Sequence, residues 1–301
     1  MLAMGRKRKK HLHDGQVRTA WLFCAPAIIL LVAFIVIPFI MSFGYSFTNR
    51  MLIPRRGTVL AFTGLKNYMK LFTSPTVMSA FKNTLVYALL VVPATLLLGT
   101  LLAIFVNKQM KGVKVFRMIY FSPQVVTMTV VAVVWSFILS PNSEGMMNSF
   151  LGLFGIEPQR WLQDPKLSLV CIAIMYVWQT LGLQMLIILG GLQYISQDLY
   201  ESAMIDGCNS WNKFWSITVP CLKNTLIYVF ISTTISSLKL FTQVYMLTDG
   251  GPQGSTTTVV YLLYKAGFIN GQLGYSSAIS VVFFLLVFII SQIQNKVLEE
   301  D

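Results

Sequence analysis

The sequence predicts an all-α, polytopic integral membrane protein with six transmembrane helices and a helix-turn-helix between the fourth and the fifth. Of the 301 residues, 55% are hydrophobic, and the mean hydropathy is +0.67. This apolar share exceeds the share typical of soluble domains. The order of the residues supports the same fold class, because long uncharged intervals alternate with short polar segments.

The spacing of charges locates the helices, since an α-helix crosses the hydrocarbon core with about 20 mostly apolar residues. Five intervals exceed that length without Asp, Glu, Lys or Arg: Thr19–Asn49, Asn83–Asn107, Met118–Ser143, Leu167–Gln197 and Ala266–Asn295. A sixth interval, Asn224–Thr248, contains one charge, Lys239. We therefore predict one membrane domain over residues 20–301, with spans near residues 20–47, 80–106, 118–139, 168–191, 223–247 and 274–295.

Lysine and arginine predict the orientation, because short cytoplasmic loops are enriched in them. The basic tail, residues 1–19, carries six Lys and Arg residues and the short loop 107–117 carries four, so both segments are predicted to face the cytoplasm. With six spans, the C-terminus is then cytoplasmic as well. The loop 48–79 opposes this orientation with five basic residues and no acidic one, but it is longer and less dense in charge. The net charge of +12 then reflects topology and attraction to anionic membrane lipid, not binding of nucleic acid.

The sequence lacks the residues that several kinds of chemistry require. The four cysteines and two histidines show no spacing of a metal site, so none is predicted. No predicted span contains Asp, Glu, His or Arg, the groups that coupled carriers and membrane enzymes use at depth. Without a Gly-Lys pair there is no phosphate-binding loop. We therefore expect no enzymatic activity and a driving force from another subunit; the alternative is a stand-alone Na⁺-coupled carrier, with backbone carbonyls as ligands, or a channel.

The polar segment 198–221 is predicted to form the helix-turn-helix. Leu199–Asp206 can form about two helical turns, Gly207 suits a left-handed C-cap, and Asn209 or Ser210 can cap a second helix. The second helix carries an aromatic stripe at i, i+3 and i+4, formed by Trp211, Phe214 and Trp215. Such a stripe is typical of a membrane interface or of an element that inserts into a partner's groove.

This segment resembles a known family. Glu201-Ser-Ala-Met-Ile-Asp-Gly-Cys208, followed by Phe214, Ile217 and Val219-Pro220, is similar to the Glu-Ala-Ala-x-x-x-Gly…Ile-x-Leu-Pro cytoplasmic loop of ABC importer permeases. Further motifs, in order along the chain, resemble the carbohydrate-uptake branch of that family: Phe62–Tyr68, Asn83–Leu85, Asn107 with Gly112 and Phe116-Arg117, Pro123, Trp135, Gly145 with Asn148, and Tyr245 through Thr248 to Gly250-Gly-Pro252. The chain departs from the pattern at Ser202, Cys208, Val219, Asn224 and Thr242.

The resemblance implies a permease subunit of a sugar importer in the bacterial plasma (inner) membrane. It would form a heterodimer with a second permease subunit, above two ATP-binding subunits that hold ATP and Mg²⁺, while this chain holds no cofactor. An extracytoplasmic sugar-binding protein would deliver the substrate. The positions that carry over to ATPase coupling are Glu201, Ala203, Asp206, Gly207, Phe214 and Pro220.

The resemblance also points to the two spans that flank this loop as the substrate path. Their polar residues are Tyr176, Gln179, Thr180 and Gln184 on the fourth span, and Thr233, Ser236, Ser237, Lys239 and Gln243 on the fifth. Such residues either contact a sugar or join helices to each other. Lys239 either pairs with an acidic substrate group or lines a water-filled path. We predict the second role, with a neutral oligosaccharide as substrate.

Overall fold

The computed structural model describes residues 14–54, 59–108 and 111–299. The regular structure in these ranges is helical. The described helices are α1 (Asp14–Leu31), α2 (Ile37–Tyr45), α3 (Lys66–Thr73), α4 (Pro75–Val106), α5 (Val113–Val125), α6 (Met128–Ile138), α7 (Met146–Gly152), α8 (Ser168–Gln193), α9 (Gln197–Ile205), α10 (Ser210–Lys213), α11 (Val219–Leu238), α12 (Thr242–Leu247), α13 (Val259–Tyr264) and α14 (Leu273–Glu299). Three π-helical turns, Val32–Val36, Phe214–Thr218 and Lys265–Ile269, join α1 to α2 and α10 to α11 and extend α13.

Within the described ranges, five helical segments are long and apolar enough to cross a membrane. They are Thr19–Tyr45, Pro75–Val106, Ser168–Gln193, Ser210–Leu238 and Leu273–Lys296. Four of them correspond to the predicted spans 20–47, 80–106, 168–191 and 274–295. Helix α1 begins at Asp14, inside the predicted tail 1–19, and residues 1–13 of that tail lie outside the described residues.

The predicted span 118–139 is not one straight helix. Helices α5 and α6 meet at an angle of 100°, and the extended backbone of Val126 and Thr127 separates them. Pro123 lies in the last turn of α5 and has no N–H to donate. A run of apolar side chains does not reveal such a break, because hydropathy does not depend on the backbone conformation.

The predicted span 223–247 is also interrupted. Its helix begins earlier, at Ser210, and α11 ends at Leu238. Lys239 to Phe241 leave the helical conformation before α12 begins at Thr242. The Thr258 hydroxyl donates to the Leu240 carbonyl at 2.8 Å, which satisfies a backbone group that the break would otherwise leave unpaired.

The core of the bundle is built by α4, α8 and α11, which pack on one another along their lengths. Buried side chains such as Tyr87, Met185 and Val229 fill the space between them. Small residues bring helix axes close: a Cβ at Gly191 of α8 would lie 2.6 Å from the Thr225 hydroxyl of α11. The three helices therefore form a tightly packed unit.

The first span packs differently. In the most apolar window of Thr19–Tyr45 no residue is buried by the chain itself. Contact with the bundle is made through α2, which packs on α14, and Phe39 meets Phe284 with ring centroids 4.9 Å apart. The remaining surface of this helix is left to lipid or to another protein chain.

At the end of the bundle opposite α9, one side chain organises the segment between α6 and α8. Asn148, 2% exposed, donates from Nδ2 to the carbonyls of Ser140, Asn142 and Gln159. Its Oδ1 accepts from Gln159 N and from Trp161 Nε1. The asparagine of the sequence motif thus holds a surface segment together.

Candidate functional site

The predicted helix-turn-helix is formed by α9, a four-residue turn and α10. Ser196 caps α9 by accepting from Asp198 N, and Gly207 adopts a left-handed conformation with φ +78°. Cys208 N donates to Ala203 O at 2.9 Å and Gly207 N to Met204 O at 3.1 Å, the pattern of a Schellman motif. The prediction of a left-handed Gly207 is confirmed. Of the two predicted caps of α10, Asn209 or Ser210, the structure uses Asn209, whose Oδ1 accepts from Asn212 N at 2.8 Å.

The outer surface of α9 and its turn is not covered by the described part of the chain. Glu201, Asp206 and Gly207 are exposed, Ala203 is half-buried, and neither acidic residue forms a salt bridge within the described ranges. Apolar side chains share this surface, and Ile205 is 87% exposed. The sequence reasoning missed the apolar contribution, which comes from Leu199, Met204 and Ile205. A surface that combines carboxylates with exposed apolar side chains is suited to docking a protein partner.

The aromatic stripe lies on the helix that follows. Trp211 and Trp215 are exposed, and their ring centroids are 5.7 Å apart. Phe214 and Pro220 line an open groove against Leu96 and other residues of α4. The six predicted coupling residues are therefore divided, with Phe214 and Pro220 facing the membrane helices.

The turn before Pro220 is π-helical, from Phe214 to Thr218, because proline cannot donate to the carbonyl four residues earlier and its ring displaces that carbonyl. Within this turn Thr218 is buried and hydrogen-bonds the Tyr200 hydroxyl at 2.9 Å. This bond fixes α9 to the helix that enters the membrane. A displacement of α9 is thus expected to move α11.

A second region lies inside the bundle, where the two helix breaks reach the same part of α8. Phe241, at the break before α12, packs in one cluster with Tyr87 and Tyr176. One turn further along α8, Gln179 reaches the break between α5 and α6, and its Nε2 donates to Val126 O at 3.0 Å. Beyond the breaks, α6 and α12 pack on each other. Broken helices that meet inside a membrane domain are typical of transporter substrate sites.

Among the nine predicted substrate-path residues, exposure differs strongly. Ser236 and Lys239 are exposed; Tyr176, Thr180 and Gln184 are half-buried; Gln179, Thr233, Ser237 and Gln243 are buried. The structure brings the side chains of Tyr176 and Ser236 together. Thr180 and Ser237 instead donate to backbone carbonyls of their own helices. The hydroxyls of these two residues are therefore satisfied within their own helices in this conformation.

One face of α11 is polar and accessible. Tyr228, Ser232, Ser236 and Lys239 follow each other at intervals of four, four and three residues, so they lie on one side of the helix. Tyr228 is 60% exposed, and Ser236 and Lys239 are also exposed. The sequence reasoning missed Tyr228 and Ser232, which the helical spacing from Lys239 would have revealed. A polar face on a membrane helix indicates contact with water or with another chain, since lipid tails offer no hydrogen bonds.

These features define a polytopic membrane protein of the permease class. Residues 95–300 match the family model described as binding-protein-dependent transport system inner membrane component. The chain belongs to this family and is a multi-pass membrane component of such a transport system. The resemblance drawn from the loop motif is thereby confirmed.

Relatives of similar length support this membership. The trehalose/maltose transport system permease protein MalF of Thermococcus litoralis is 33% identical over 94% of this chain and 94% of its own length. The lactose transport system permease protein LacF of Rhizobium radiobacter is 33% identical over 98% of this chain and 97% of its own length. A chain of the crystal structure of a bacterial ABC transporter involved in the import of the acidic polysaccharide alginate matches with a TM-score of 0.81 and 23% identity, covering 95% of this chain and 98% of that chain. The last match supports the shared fold.

Proposed function

We propose that the chain is one of two permease subunits of an ATP-driven sugar importer in the bacterial plasma membrane. The observation that carries the proposal is the meeting of two broken helices at Tyr176 and Gln179, beside the polar face of α11. Hydroxyls and amides at this depth suit a sugar, and the names of the MalF and LacF relatives refer to trehalose, maltose and lactose. The accessible face of α11 would form half of the translocation path.

The surface of α9 would dock one of two ATP-binding subunits, on which ATP and Mg²⁺ bind. Glu201 and Asp206 would pair with basic groups of that subunit, and Ile205 would fill an apolar contact. This arrangement requires the α9 end of the bundle and both termini in the cytoplasm, which the basic loop 107–117 supports. The opposite end would receive the sugar from the extracytoplasmic binding protein. We assign this chain no enzymatic activity and no cofactor of its own.

The hydrogen bonds at the two helix breaks argue against the alternative of a stand-alone Na⁺-coupled carrier. Its ligands would be backbone carbonyls that a helix break exposes. Gln179 Nε2 already donates a hydrogen bond to the Val126 carbonyl, and the Thr258 hydroxyl donates one to the Leu240 carbonyl. The described helix breaks also contain no carboxylate that could bind the coupling ion; their one ionisable residue is Lys239.

The subunit composition tests the proposal. The affinity-tagged chain is purified from membranes of its own organism in mild detergent, and the complex is weighed by native mass spectrometry. We expect one copy of this chain, one second permease and two ATP-binding subunits. A mass equal to the chain alone or to its homo-oligomer, from membranes that retain sugar uptake, would contradict the proposal.

Lys239 tests the charge of the sugar. We expect Lys239→Gln to retain most uptake, within about three-fold of wild type, because a lysine that hydrates a path is replaceable by another polar residue. Lys239→Met should be more harmful than Gln. A lysine that pairs with a substrate carboxylate would instead make Gln lose about 2–5 kcal/mol, or 30-fold or more in affinity.

The measurement is uptake of radiolabelled maltose, lactose and trehalose by the complete importer, with Lys239→Gln, Lys239→Arg and Lys239→Met side by side. Lys166→Gln, which removes an exposed lysine in the segment between α6 and α8, is the control. An active Arg variant together with an inactive Gln variant, both assembled, would contradict the neutral sugar and favour an acidic one.

A further inference from the structure

An aromatic cluster lies between the break that follows α11 and the end of the bundle opposite α9. Its four rings belong to Phe241, Tyr245, Tyr264 and Phe268. Phe241 and Tyr245 stack with centroids 5.6 Å apart and planes 13° apart, and Tyr264 stacks on Phe268 at 5.6 Å and 27°. Tyr264 joins the two pairs, since it lies 5.2 Å from Phe241 and 5.6 Å from Tyr245. The rings are therefore continuous.

The cluster extends through depth. Phe241 is part of the break itself, and α13 starts beside the break because Thr258 bonds Leu240. Phe268 lies near the other end of the α13 segment, close to Gly271, whose carbonyl accepts from Leu52 N in the loop after α2. The aromatic belt of a membrane protein occupies the interface level. The four rings of this cluster instead continue from the surface to the depth of Tyr176, and we call this continuous row of rings the aromatic track.

Part of the track is accessible, because Phe268 is 57% and Tyr245 is 44% exposed. Polar groups lie at its edge, because the hydroxyls of Tyr245 and Tyr264 are close to each other. Asp249 lies next to them and accepts the Tyr261 hydroxyl on Oδ1 at 2.6 Å. Its second carboxylate oxygen accepts no hydrogen bond, and the side chain forms no salt bridge, within the described ranges. An exposed acceptor beside exposed ring faces is thus available to a ligand.

A pyranose ring matches this combination. One of its faces presents C–H groups that stack on aromatic rings, and its edge presents hydroxyls that donate to carboxylates and exchange hydrogen bonds with phenols. We propose that the cluster of Phe241, Tyr245, Tyr264 and Phe268 is a stacking platform for a neutral pyranose on its way from the extracytoplasmic face to the break at Lys239. The unpaired Asp249 oxygen favours a neutral over an acidic sugar, because like charges repel. This inference rests on the proposed import function.

The test uses the complete importer in proteoliposomes, with the binding protein saturated by radiolabelled maltose or lactose, whichever the wild type imports. Tyr245→Ala and Phe268→Ala should each lower the uptake rate about ten-fold, the effect of losing one aromatic stacking contact. Tyr245→Phe and Phe268→Tyr keep the rings and should retain most of the uptake. Phe288→Ala removes a ring of α14 that is 50% exposed and stacked on Phe284, and it should be neutral.

Assembly is followed in each variant by the co-purified ATP-binding subunit. Uptake within about two-fold of wild type in both alanine variants would overturn the platform. Equal loss in Tyr245→Phe and Tyr245→Ala would also overturn it, because the ring face would then not be the contact. If an alanine variant fails to assemble, the ring-conserving variants and Phe288→Ala decide between stacking and a structural role. A wild-type complex that imports no sugar with ATP present would instead contradict the proposed function.

Discussion

Replacing Gly207 by proline, or Glu201 by lysine, should leave the chain in the membrane but abolish ATP-driven uptake. Proline holds φ near −65°, whereas Gly207 has φ +78°, and it also removes the N–H that bonds Met204 O. Lysine at position 201 turns an attraction to a basic partner group into repulsion, and losing one partner of a desolvated charge pair costs about 2–5 kcal/mol. We expect at least about 30-fold less uptake in either variant.

Two controls separate docking from general damage. Glu144→Lys reverses an exposed charge in the segment between α6 and α8, far along the chain from α9, and should transport normally. Glu201→Gln removes the charge without reversing it and should have an intermediate effect. Wild-type uptake and co-purification of the ATP-binding subunit in both Gly207→Pro and Glu201→Lys would exclude α9 as the docking element.

Gly182→Ala is the second substitution with a large expected effect. A Cβ at this position of α8 would overlap the backbone carbonyl of Tyr120 and lie 2.8 Å from Phe121 Cα, both in α5. Backbone atoms cannot move aside as a side chain can, so the α5–α8 contact must open. Overpacking of this kind costs about 1–3 kcal/mol, and a clash with backbone belongs at the upper end. The Gln179–Val126 hydrogen bond, one turn away, should be lost with it.

The measurement is the thermal unfolding midpoint of the purified complex, together with uptake. Gly190→Ala is the matched control, because it lies on the same helix and a Cβ there meets nothing within 4 Å. We expect a lower midpoint and little uptake for Gly182→Ala and wild-type behaviour for Gly190→Ala. Equal midpoints for the two variants would show that α5 and α8 are not in this close contact.

The features that were predictable from the sequence are local. Charge-free intervals located α4, α8 and α14 because hydrocarbon excludes charged side chains. Gly207 was predictable as a C-cap because its backbone can adopt positive φ, and Asn209 was one of two predicted N-caps because its side chain offers an acceptor. The family resemblance, which the family model confirms, was likewise drawn from short motifs, around Glu201 and in order along the chain.

The features that sequence reasoning missed depend on distant residues. The breaks at Val126 and Lys239 look like apolar helix in sequence, and each is stabilised by a side chain elsewhere, Gln179 or Thr258. Gln179 was predicted either to contact a sugar or to join helices, and the structure shows the second role, because its amide N–H donates to the Val126 carbonyl. Phe241 and Tyr264 are far apart in sequence and meet because the chain folds back between α12 and α13. None of these contacts produces a periodic pattern in the sequence from which it could have been predicted.

The most direct test of ATP-driven import is uptake by reconstituted proteoliposomes under two driving forces. The complete complex with loaded binding protein is supplied with ATP in one arm, and this chain alone is given a proton or Na⁺ gradient in the other, with radiolabelled maltose and lactose as probes. We expect uptake in the ATP arm and none by the chain alone, which should also hydrolyse no ATP. Gradient-driven uptake by the chain alone would contradict its role as a subunit of an ATP-driven importer and favour the stand-alone carrier.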